Sequence, residues 1–146
     1  MIHLDGEQYK TLFCADPLKF YDTECKPPSK PWFIAFVAFK RSNEQFWASA
    51  YVTNTLKVLA EQYGGKVQFA VVNSHRQEDM RATFGVRSLP AEFYYEDGLF
   101  YEQNFMQILV NNIRTFIEGR HKLEEKRYQV FEKPYLIPSF AMPFKR

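Results

Sequence analysis

Residues 32–39 read "WFIAFVAF", an unbroken apolar run. The run is far shorter than the ~20 residues a membrane helix needs. It lacks the alternation of a strand with one wet face, so it reads as a central strand covered on both sides. That requirement calls for a layered α/β arrangement. A polar turn follows in "KRSNEQF", and then a long segment with helical spacing. Residues 43–63 place Phe46, Ala50, Val52 or Thr53, Leu56, Leu59 and Ala60 on one face, with Ser42 or Asn43 as cap and Gly64-Gly65 as the stop.

The rest of the chain repeats this alternation. Residues 1–4 form a short strand, and Asp5 caps a helix that carries Tyr9, Leu12 and Phe13. Residues 14–31, with "KPPSKP", make an irregular connection. "KVQFAVVN" (66–73) is a second apolar strand, and 76–84 is a short helix ended by Gly85. A third strand follows Leu89-Pro90. Asp97-Gly98 then turns the chain into an antiparallel partner at 99–104. A last amphipathic helix spans 105–118, with Ile108, Leu109, Ile113, Phe116 and Ile117 on one face. The order β-α-β-α-β-α-β-β-α predicts a three-layer α/β/α sandwich with a mixed sheet and an antiparallel C-terminal hairpin. Residues 1–119 make that domain. Residues 120–146 begin as a charged helical extension and become an extended tail rich in proline and aromatics.

Composition narrows the function. A net charge of +2 across 146 residues, with no dense basic stripe, does not point to nucleic acid. His3, His75 and His121 have no ligand spacing, and no phosphate loop or nucleophile elbow occurs, so neither a metal nor a cofactor is expected. There is no membrane-spanning run, and residues 1–5 lead straight into structure without a visible leader. Two cysteines, Cys14 and Cys25, fit either one bridge or two free thiols. The aromatic share is 18%, including 15 Phe and 9 Tyr, so the rings either fill a Phe-rich core or partly face a partner.

Four pieces resemble the thioredoxin family, most closely the domains of protein disulfide isomerases: "PWFIAFVAF", "LKVLAEQYGGKVQFAVVN", "RATFGVRSLPAEFYYEDG" and "IRTFIEG". The resemblance covers residues 1–119. It implies that the loop before the long helix is where redox-active members carry their cysteine pair. Here that loop is Lys40, Arg41, Ser42, Asn43 and Glu44, or on a shifted alignment "QFWAS", and neither contains cysteine. The position of the family's buried acid falls on Ala35, and that of its partner lysine on Val71. Leu89-Pro90 resembles the family's cis-proline, where the preceding residue's backbone meets an extended peptide. A plainer reading has Pro90 only shaping the turn.

These features predict a redox-inactive, non-enzymatic thioredoxin-like protein that serves as an accessory subunit of a larger protein complex. The tail supplies its anchors: Phe131, Tyr135, Leu136, Ile137, Phe140, Met142 and Phe144. Pro134, Pro138 and Pro143 forbid a continuous helix there, so the tail is expected to lie extended on another chain with few contacts to its own domain. The tail and the slightly basic charge favour a mitochondrial complex over the endoplasmic-reticulum lumen. The alternative is a non-catalytic module that holds peptides at Leu89 and Pro90. A third reading, an enzyme using Cys14 and Cys25, has nothing in the sequence that brings them near Pro90.

Overall fold

A computed structural model describes residues 1–16, 24–103 and 135–136. The apolar run forms β2 (Trp32–Val37), and all six of its residues are buried. Around it lie β1 (Ile2–His3), α1 (Gly6–Leu12), α2 (Phe46–Tyr63), β3 (Gln68–Asn73), α3 (Glu78–Phe84), β4 (Ala91–Glu96), β5 (Leu99–Gln103) and β6 (Tyr135–Leu136). The strands form one mixed sheet in the order β1-β3-β2-β4-β5-β6. β3 runs parallel to both β1 and β2, whereas β4 runs antiparallel to β2. The antiparallel part thus begins in the middle of the sheet, beside β2.

Each end of an element follows from local chemistry. Asp5 and Gln8 form a capping box on α1: the Gln8 N–H donates to Asp5 Oδ1 at 2.8 Å, and the Asp5 N–H donates to Gln8 Oε1 at 3.0 Å. α2 stops at Gly64, whose φ of 54° is left-handed, with its N–H bonded to the Ala60 carbonyl. Asp97 (φ 51°) and Gly98 (φ 83°) both take positive φ between β4 and β5. That is the turn chemistry the Asp-Gly pair predicts.

The alternating side chains of β2 feed two cores. Trp32, Ile34 and Phe36 meet Tyr9, Phe13, Met80, Phe84, Phe93 and Tyr95 on the α1/α3 face. Phe33, Ala35 and Val37 meet Val52, Leu56, Leu59, Phe69 and Tyr94 on the α2 face. Many of the chain's rings are therefore core. Phe13 is fully buried, and its ring centroid lies 5.1 Å from Tyr9, 5.3 Å from Trp32, 5.0 Å from Tyr95 and 5.5 Å from Phe100. Two of these four pairs, with Trp32 and Tyr95, meet edge to face, a geometry their quadrupoles favour.

Two expectations change. α2 starts at Phe46 rather than at residue 43, and its N-cap is Gln45. Asn43 instead accepts the Gln45 N–H through Oδ1 at 2.7 Å, a local turn that delays the helix. The tail does not leave its own domain entirely. Leu99 pairs with Leu136 and Phe100 with Tyr135, so part of the tail adds an edge strand to β5. An unpaired edge is a row of open backbone donors and acceptors, and a tail segment held extended by prolines is suited to cover it. The last helix and the 119/120 boundary lie outside the described residues, as do Phe131, Ile137, Phe140, Met142 and Phe144. Among the described residues, no helix is long and apolar enough to cross a membrane.

Phe13→Ala should cost about 3–5 kcal/mol, because it empties the junction of four rings. A urea titration of the full chain checks this. A loss below about 1 kcal/mol would mean that the ring cluster contributes little to the fold.

Candidate functional site

β2 delivers the chain to the loop that precedes α2. At its exit the buried Ala38 N–H donates to Ser49 Oγ at 2.8 Å. That bond accounts for a serine with no exposure on the inner face of α2. The inner face holds Val52, Leu56 and Leu59, as expected, together with Ser49 and Thr55. Phe46, Ala50 and Thr53 are only half-buried. Trp47 (69% exposed), Tyr51 (48%) and Val58 (45%) lie on the outside. Positions 47, 51 and 58 lie on one stripe of a 3.6-residue helix.

The loop is fixed by short-range bonds. The Asn43 N–H reaches the Lys40 carbonyl at 3.0 Å, and the Phe46 N–H reaches the Asn43 carbonyl at 3.0 Å. The Arg41 guanidinium lies 5.8 Å from the Phe46 ring centroid and 5.7 Å from that of Trp47. The two rings meet nearly at right angles, 5.0 Å apart. The ring faces attract the cation and hold it at the surface. Beside them a groove of about 270 Å³ is lined by Ala38, Phe39, Phe46, Ala50, Thr53 and Asn54.

The Leu89-Pro90 bond is cis. The Leu89 N–H donates to Gln45 Oε1 at 2.8 Å, which ties the proline loop to the start of α2. The proline loop therefore lies beside the loop that precedes α2. Lys40, Arg41, Ser42 and Glu44 are exposed, Asn43 and Pro90 are half-buried, and Leu89 is buried. Gln45 uses the backbone donor that an extended peptide would need at Leu89. Tyr135 and Leu136 lie elsewhere: β4 and β5 separate their strand from β2.

A buried acid is the second feature the sequence reading missed. Glu92 is 2% exposed, and its Oε2 has no hydrogen-bond partner among the described residues. Burial pushes its carboxyl up to about 8, and the charge of Glu102 adds to the rise. Glu92 pairs with Ala35, and Ala35 pairs with Val71. Directly opposed residues share a face of the sheet. The Ala35 position is apolar, as the sequence says, but a carboxyl is buried one strand away. The inference that an acid is lost from this part of the sheet is therefore corrected. Reading "AEFYYE" by alternate residues gives the signal: Glu92 falls in step with the buried Tyr94.

The cysteines bring another correction. Cys14 and Cys25 are joined in a disulfide. The chain thus does hold a cysteine pair in the oxidised state that thiol–disulfide exchange uses. The expectation of a non-enzyme, which rested on a fold without catalytic cysteines, does not stand. The bridge lies at the other end of the sheet from the proline loop. Phe13, next to Cys14, packs on Trp32 at the start of β2, whereas the loop follows the end of β2. Six strand residues separate these ends by about 17 Å.

No protein-family model matches the chain. Solved structures do. Chloroplastic thioredoxin z superposes with a TM-score of 0.64 at 11% identity, covering 84% of this chain and 95% of that one. A malarial protein superposes with a TM-score of 0.53 at 16% identity, covering 62% of this chain and 96% of that one. The fold is thioredoxin-like. At these identities the likeness extends to architecture and leaves chemistry to the residues.

Glu92 makes stability depend on pH. Its folded pKa lies above its unfolded one, so between about 4.5 and about 8 the folded state binds more protons. Stability therefore falls as pH rises through that window and levels off above it. Glu92→Gln removes the titrating group. Its advantage over wild type should grow by a few kcal/mol, to order of magnitude, from pH 5 to pH 8. Thermal melts of both proteins at the two values test this. An unchanged difference would place the carboxylate in contact with water.

Proposed function

We propose that this thioredoxin-like chain is an accessory subunit of a larger protein assembly and that it docks through the outer face of α2 and the loop before it. The observation that carries this reading is the exposed stripe Trp47–Tyr51–Val58 beside the Arg41 cluster. Single exposed apolar residues are ordinary, but an aligned group that includes tryptophan marks a contact surface. Trp and Arg are the residues that most often dominate such contacts. The same end of α2 holds the proline loop through Gln45, so the two loops are tied together before a partner arrives. Preorganisation lowers the cost of association.

The tail supports the same reading by composition. Phe131, Ile137, Phe140, Met142 and Phe144 would supply a second set of anchors, while Tyr135 and Leu136 serve the sheet edge. A disulfide persists in oxidising compartments, which favours an organelle lumen or intermembrane space over a reducing cytosol.

Native purification of the tagged full chain tests the proposal. Wild type should bring down a defined set of proteins. The double variant Trp47→Glu, Tyr51→Glu should lose them while keeping its far-UV circular dichroism and melting temperature. Co-migration that survives the double variant would move the docking face elsewhere. A wild-type chain that migrates alone would remove the subunit reading.

A further inference from the structure

The patch at the start of α2 is charged as well as aromatic. Lys40, Arg41 and Arg87 are all exposed there. The Leu89–Gln45 bond brings Arg87 to the same end of the molecule as Arg41. Glu44 is the one carboxylate within residues 39–47 and 87–90. The local excess of positive charge equals the formal net charge of the whole chain, +2. Among the described residues none of the three cations enters an ion pair, whereas Lys10 on α1 pairs with Glu7.

Two further features add to this. α2 has 18 residues, yet its N-terminus has no side-chain cap and no acidic residue in its first turn. The helix's own first turn therefore brings no carboxylate to the positive end of its dipole, and Glu44, just before the cap, is the one acid beside it. Arg41 is held over two rings, with no hydrogen-bond acceptor among the described residues. Stacking uses the flat face of a guanidinium and leaves its edge donors for a carboxylate.

We infer that the occupant of this face is an acidic segment of a protein partner, one that also carries an aromatic or aliphatic side chain. This rests on the docking reading above and adds the chemistry of the partner. Carboxylates would meet Arg41, Lys40 and Arg87, and the apolar side chain would enter the groove between Phe39, Phe46 and Ala50. A groove walled by Phe39, Phe46 and Ala50 suits a single side chain on a peptide. Nucleic acid would call for a longer basic stripe.

The test uses the full chain and a random copolymer of glutamate and tyrosine as probe. Binding is followed by tryptophan emission, since Trp47 is 69% exposed and Trp32 only 5%. Saturable binding is expected, with a blue shift, weakening as salt rises. The variant Arg41→Glu, Arg87→Glu should bind at least about tenfold more weakly. Lys66→Glu, the same kind of reversal at the far end of α2, should change affinity less than about twofold. Circular dichroism of both variants should match wild type. The inference is overturned if the copolymer does not bind, if both variants bind alike, or if duplex DNA or phosphatidylserine vesicles bind more tightly than the copolymer. Failure here with co-migration intact removes the acidic chemistry and leaves the docking face. Failure of both removes the face.

Discussion

β2 has no side that water can reach, and the other described elements are arranged around that fact. A strand buried on both faces must have hydrogen-bonded neighbours on both edges and a covering layer on each face. β3 and β4 provide the edges. α1 and α3 cover one face and α2 covers the other. The chain leaves β2 where parallel β3 ends and antiparallel β4 begins, so the loop at 39–45 and the proline loop at 87–90 come out side by side. Their contact, Gln45 to Leu89, follows from the strand order and does not require any affinity of the loops for each other.

That geometry gives the site its character. The start of α2 displays a cation on two rings, and the backbone donor at Leu89 is already engaged. Beneath it, on the α2 face of the sheet, lies an acid that keeps its proton into the neutral range. At the opposite end, the Cys14–Cys25 bridge holds the connection between α1 and β2. The surface chemistry, the buried acid and the disulfide thus occupy three separate places. The ring-and-cation cluster at the α2 end and the disulfide at the α1 end are spatially separate features of one fold.

The architecture was legible because it rests on strong local signals. The unbroken run of β2, the Asp5 cap, Gly64 and Asp97-Gly98 each name a structure for a physical reason, and each formed where expected. Leu89-Pro90 was legible through its surroundings. The start of α2 was misread by three residues because Asn43 bonds its own loop rather than capping the helix, a competition that spacing cannot decide. The buried face was read in part: Val52, Leu56 and Leu59 are buried as expected, whereas Ser49 was missed because its burial goes with the long-range bond from the Ala38 N–H. Glu92 escaped because a carboxylate in a strand reads as a polar position, and its burial comes from long-range packing. Pairing of Cys14 with Cys25 was open in the sequence because a spacing of 11 permits a bridge without requiring it.

The central claim is that the outer face of α2 is covered when this chain is at work. Oxidative footprinting of the native assembly against the isolated chain measures this directly, residue by residue. The account predicts that Trp47 and Tyr51 are readily oxidised in the isolated chain and strongly protected in the assembly, while the buried Trp32 stays unreactive in both. Equal oxidation of Trp47 and Tyr51 in the two samples would contradict it.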